Sequence, residues 1–102
     1  MDRLTSLLTM ARENPNDPFL IFALALEYKT GGDQAESRAY FERLVYEFPD
    51  YVPTYQQYGK MEEESGNLKA AVDLYSKGIE KARAKGDEKT ARELQQTIDM
   101  MD

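Results

Sequence analysis

The chain has 102 residues, 41% apolar and 31% charged, which is enough for one small core. Its 13 Lys+Arg against 19 Asp+Glu give a net charge of −6, and no basic cluster offers the counterion-displacing face that nucleic-acid binding requires. It contains neither Cys nor His, which removes disulfides, thiolate nucleophiles, Cys/His zinc sites and imidazole acid–base catalysis.

The first predicted helix spans residues 2–13, with Leu4, Leu7, Leu8 and Ala11 at helical spacing. Asn14-Pro15-Asn16-Asp17-Pro18 ends it, because the two prolines remove backbone donors and fix φ. Asp17 can cap a second helix, residues 18–30, with Pro18 in its first turn, where a missing N–H is harmless. Gly31-Gly32 closes that helix. Asp33, with Glu36 three residues on, starts a third that reaches about residue 48, ahead of Pro49. Pro53 belongs in the first turn of a fourth, residues 52–65, terminated by Gly66. Asn67 caps a fifth, which runs to about residue 85 before Gly86. Asp87 caps a sixth segment that carries Ala91, Leu94, Ile98 and Met101 on one stripe towards the C-terminus. No stretch alternates with period two for long enough to read as a strand, so an all-α fold is expected.

A block near the middle returns after 34 residues: Gly32-Asp33 as Gly66-Asn67, Phe41 as Tyr75, Val45 as Ile79, Leu24 as Tyr58 and Ala25 as Gly59. That lag is the period of a helix-turn-helix repeat unit. Together, the breakers and apolar positions resemble the tetratricopeptide repeat family over residues 4–85. The resemblance implies units of two antiparallel helices, A and B, with small residues where the two approach, stacked as a right-handed superhelix. The first full unit is then residues 18–51, with Leu24, Ala25, Tyr28, Gly32, Phe41 and Pro49 at signature places. The second is residues 52–85, with Tyr58, Gly59, Gly66, Ala71 and Tyr75 at the same places. Leu7, Met10, Ala11 and Pro15 mirror Phe41, Leu44, Val45 and Pro49, so residues 1–17 read as a half unit equivalent to helix B. Residues 86–102 read as a capping helix that completes a single domain. Glu62 stands where the family has Tyr, Ser37 where it has Ala, and Arg83 where Pro49 stands one repeat earlier.

Gly59 and Gly78 fall inside predicted helices, where each costs roughly 1 kcal/mol against Ala. Close approach by a neighbouring helix supplies a reason for both, and for Gly78 that neighbour is expected to be the C-terminal helix. Tyr28, Tyr55, Tyr58 and Tyr75 sit at repeat packing positions.

The resemblance also implies that helix A of each unit lines a concave face that receives another protein or peptide. The positions concerned are Phe19, Phe22, Leu26 and Lys29 in the first unit, then Gln56, Lys60 and Glu63 in the second. Phe19, Phe22 and Leu26 lie at i, i+3 and i+7, on one side of the helix, with Leu24, Ala25 and Tyr28 on the core side. Such a helix is apolar nearly all round. Two arrangements fit it. The first helix, or a second copy in a homodimer, covers the three apolar residues, or they form an open groove for a peptide or amphipathic segment. The Lys and Asn by which some members of the family grip a terminal carboxylate are replaced here by Phe22 and Leu26.

No catalytic signature is present in the sequence. Gly31-Gly32 lacks the spacing and basic residue of a phosphate-cradling loop. Glu62-Glu63-Glu64 reads as a solvated face, since consecutive helical positions splay around the axis. Asp99 and Asp102 have no oxygen-rich loop around them for calcium. Lys77, Lys81, Arg83 and Lys85 read as cations favoured by a helix C-terminus. The longest apolar run, residues 19–26, is too short to cross a bilayer, and Met1-Asp2-Arg3-Leu4 does not open a secretory signal. The expectation is a cytoplasmic, non-catalytic protein-interaction module, an adaptor or assembly factor, without cofactor, metal, nucleic acid or membrane. A structural homo-oligomer is the alternative.

Overall fold

The computed structural model describes residues 2–101; Met1 and Asp102, the latter weighed above for calcium, lie outside them. Among the described residues there are six helices and no strand: α1 (Arg3–Glu13), α2 (Pro18–Thr30), α3 (Gln34–Glu47), α4 (Pro53–Glu64), α5 (Leu68–Ala84) and α6 (Glu88–Asp99). They form two compact units, Met1–Pro49 and Asp50–Asp102.

Helix starts follow the aspartates. Asp2, Asp17, Asp33 and Asp87 accept hydrogen bonds from the amides of Thr5 (2.7 Å), Phe19 (3.0 Å), Glu36 (3.2 Å) and Thr90 (3.1 Å), satisfying donors that the first turn leaves unpaired. The Thr5 amide holds the Asp2 carboxyl below its usual range, and the Thr90 hydroxyl and amide do the same for Asp87. Asn67 is a correction. It occupies the N-cap position of α5, yet its side chain accepts nothing from the helix. Its amide nitrogen instead donates to Glu62 Oε2 at 2.7 Å. Glu62 is only 5% exposed, and a carboxylate taken out of water secures a donor ahead of an optional cap.

Helix ends share one device. After α2, α4 and α5 the chain turns through Gly32, Gly66 and Gly86 at φ of +85°, +83° and +78°, a region that costs a side chain dearly. In each turn the next amide reaches back to a carbonyl five residues earlier: Asp33 to Tyr28, Asn67 to Glu62 and Asp87 to Ala82, all at 2.9 Å. The same turn therefore closes each of these three helices and returns the chain along its predecessor.

In the first unit α2 packs against both α1 and α3. Leu7, Leu20, Ala23 and Leu24 form one buried cluster, with Leu4, Leu8, Ala11, Tyr28 and Tyr40 packed against it. The Tyr28 and Tyr40 rings stack at 5.6 Å. Ser37, in the place of the family's Ala, is fully buried and donates its hydroxyl to the Ala25 carbonyl at 2.7 Å. The polar atom thus enters the α2–α3 contact already satisfied. Arg3 pairs with Glu27 across α1 and α2 (2.9 Å), and Arg43 donates to the Pro15 carbonyl (3.0 Å), tying the end of α3 to the proline loop.

In the second unit α5 packs against α4 and α6. Val52, Ala71, Tyr75, Ile79, Ala82, Ala91 and Leu94 form one core cluster, extended by Ile98 and Met101, so the stripe expected on the C-terminal segment is the one that packs. Both interior glycines have the packing reason the sequence demanded. A Cβ on Gly59 would stand 2.6 Å from Cε1 of the Tyr75 ring, and one on Gly78 would stand 2.8 Å from Tyr55 Cβ and 2.9 Å from Leu94 Cδ1. Gly78 thus admits α4 as well as the expected C-terminal helix. Lys81 pairs with Asp50 (3.2 Å), and Arg83 lies 3.7 Å from Glu88.

Two stability predictions follow from this packing. Gly59→Ala and Gly78→Ala gain helix propensity of roughly 1 kcal/mol but overpack a buried contact, for a net loss of about 1–2 kcal/mol. Denaturant melts should show lower midpoints for both, and a raised midpoint would refute the close-approach argument. Thr54 is fully buried, and its hydroxyl has no hydrogen-bond partner among the described residues. Thr54→Val removes that desolvated group at nearly constant shape and should raise the midpoint by about 1 kcal/mol of stability in the same melts.

Candidate functional site

The face expected on α2 is partly open. Phe19 is 59% exposed, while Phe22, Leu26 and Lys29 are half-buried. Pro18 at the first turn and the Asp17 cap set where α2 begins, and hence the angle at which Phe19 leaves the helix. Phe22 meets the fully buried Phe41 of α3 edge-on, with ring centroids 6.5 Å apart, so part of its surface already belongs to the first unit's interior. Helix α1 does not act as the cover that the sequence allowed for. Its leucines pack on the side of α2 that carries Leu20, Ala23 and Leu24, and Phe19 keeps most of its surface. Met10 on α1 and Tyr46 on α3 are the other exposed large apolar residues of this unit.

On α4, Gln56 and Lys60 are exposed and Glu63 is half-buried. These three share a side of the helix at i, i+4 and i+7. The core side of α4 carries Tyr55, Tyr58, Gly59 and Met61, all buried. Glu63 is held in place. The Tyr75 hydroxyl, delivered from α5, donates to Glu63 Oε1 at 2.9 Å. Burial, and then the Glu63 carboxylate, push the Tyr75 hydroxyl well above the usual tyrosine range, so it remains a donor at neutral pH.

The three consecutive glutamates, read from sequence as one solvated face, separate into three environments. Glu62 is buried against Asn67, Glu63 is half-buried against Tyr75, and only Glu64 is exposed. A helix rotates about 100° per residue, so a run of three crosses from core to solvent. Tyr75 is the residue of this site that sequence reasoning missed. Its signal was present in the 34-residue comparison, where Ala25, Phe41 and Lys29 become Gly59, Tyr75 and Glu63, three changes that geometry now joins.

No group of three or more acidic side chains among the described residues could hold a metal ion, and no helix is long and apolar enough to cross a membrane.

No protein-family model and no curated protein matches the chain. Solved structures do. A solution NMR structure of a tetratricopeptide repeat domain protein from Salinibacter ruber is 42% identical, with a TM-score of 0.78, covering 82% of this chain and 85% of that one. A crystal structure of a tetratricopeptide repeat domain protein from the same organism is 41% identical, with a TM-score of 0.74, covering 81% of this chain and 92% of that one. Identity at this level across most of both chains, on the helix pairs and glycine turns described above, makes this chain a member of the tetratricopeptide repeat family.

Proposed function

We propose that the chain is a non-catalytic protein-interaction module that binds a peptide or amphipathic segment of another protein. The tetratricopeptide repeat fold is in general a scaffold for protein–protein contact. Phe19, Phe22, Leu26 and Lys29 on α2, with Gln56, Lys60 and Glu63 on α4, are the contact residues in this reading. The single observation that carries it is Phe19, a large aromatic ring 59% exposed on a helix whose other side is buried. Phe19 shares its side of α2 with the half-buried Phe22 and Leu26, and grouped apolar area left in water is a frequent mark of a binding site. In this reading the polar residues of α4 add selectivity. An adaptor or assembly factor is the role such a small module fills.

The second reading is a homo-oligomer in which Phe19 and its neighbours meet a second copy. The same exposed ring favours it, and the two readings part on stoichiometry.

Phe19→Glu should leave the circular dichroism spectrum and melting midpoint nearly unchanged, because the ring contributes little burial. It should reduce capture of a partner from native extract at least roughly tenfold, as loss of an aromatic anchor does. Undiminished capture would refute the role of this face. Phe22→Glu, in contrast, should lower stability by about 2 kcal/mol or more, since it breaks the Phe41 contact and drives a charge into the interior. Sedimentation across a dilution series decides the second reading. A species that stays monomeric at high concentration excludes the homo-oligomer.

A further inference from the structure

We propose that Glu63 selects a lysine or arginine side chain on the partner, and that Tyr75 is the positioning residue that makes this selection possible. The inference rests on the reading of α4 as a partner-binding helix.

The argument starts from three linked positions. One period earlier, Ala25, Phe41 and Lys29 occupy the places of Gly59, Tyr75 and Glu63. Removing the methyl group at position 59 brings the Tyr75 ring against the α4 backbone, to within 2.6 Å of where a Cβ would sit. From there the hydroxyl reaches Glu63 Oε1 at 2.9 Å. Phenylalanine in the same pocket would carry nothing to that point. Tyr75 is 2% exposed, so its ring is locked by packing and its hydroxyl defines one place for the carboxylate. Oε1 is thereby engaged, and Oε2 has no protein partner among the described residues.

A carboxylate fixed in this way has already given up much of its rotamer freedom, so pairing with a cation costs less entropy than for a mobile glutamate. Its half-buried setting also strengthens the attraction relative to open water. The chain as a whole carries −6. Lys60, one turn earlier, is exposed and forms no ion pair with Glu63 among the described residues. The equivalent place on α2 holds Lys29, so the preference for a cation belongs to α4 alone.

The test selects a phage-displayed library of random peptides in parallel on the full chain, on Glu63→Gln and on Tyr75→Phe. Both variants should fold, which circular dichroism checks. Phe41 shows that a buried phenylalanine suits this repeat position, and an amide at position 63 still accepts the Tyr75 proton. Peptides selected on the wild-type chain should carry Lys or Arg at a recurring place. They should bind Glu63→Gln at least roughly tenfold more weakly and Tyr75→Phe roughly threefold more weakly. The same peptides with norleucine at the cationic place should bind all three proteins alike, a result that a merely structural role for Tyr75 would not produce. Peptides without a recurring cation, or equal binding to Glu63→Gln, overturn the proposal and leave the protein-binding reading standing. Equal binding to Tyr75→Phe overturns the positioning role. If the wild-type chain selects no peptide, both readings fall together.

Discussion

The structure depends on helices approaching closely enough for one side chain to lie on another helix's backbone. At Gly59 the Tyr75 ring takes the space of a missing methyl group, and at Gly78 Tyr55 and Leu94 do the same from two sides. Such contacts give α5 its two neighbours and set the spacing of the whole second unit. The first unit achieves its close contact differently, with the Ala25 carbonyl of α2 accepting from the fully buried Ser37 of α3 and Phe22 meeting the fully buried Phe41. Glycine within a helix is locally unfavourable, so its presence at positions 59 and 78 is explained by tertiary packing, which outweighs propensity.

Close approach has a second consequence, because it strips water from any polar group caught in the contact. Ser37 gives its hydroxyl to the Ala25 carbonyl, Glu62 takes the Asn67 amide, and the Tyr75 hydroxyl goes to Glu63. Each of these three polar groups thus arrives with a partner from the nearest helix or turn. The energetic logic is asymmetric. A satisfied buried hydrogen bond adds only a little stability, whereas an unsatisfied one costs its full desolvation. Thr54 is the exception among the described residues.

These same contacts prepare the surface. On α2 the packing of Phe22 against Phe41 leaves Phe19 as the prominent apolar group. On α4 the packing of Tyr75 against Gly59 ends in an oriented carboxylate. Equivalent helices of two repeats therefore present different chemistry, one greasy and one charged, and the difference originates in the core beneath them. A repeat architecture is suited to this, since each unit keeps its backbone frame while its side chains diverge.

The helices themselves were legible in the sequence, because their limits are set by residues acting locally. Prolines at 18 and 53 enter first turns, aspartates cap, and Gly32, Gly66 and Gly86 take the left-handed conformation at the ends. The 34-residue recurrence added the family, and with it the class of fold. Periodicity also placed Leu24 and Ala25 of α2 and Ala91 and Leu94 of α6 on their core sides, since 3.6 residues per turn fixes the angle at which a side chain leaves the axis. It does not fix what stands opposite that angle. Which side of α2 receives α1, how far Phe22 is covered, whether Asn67 caps α5 or serves Glu62, and where the Tyr75 hydroxyl ends are all matters of distance between segments remote in sequence. Only the tertiary structure decided them. The physical reason is that burial and hydrogen bonding depend on neighbours within a few ångströms, and a one-dimensional pattern records direction without separation.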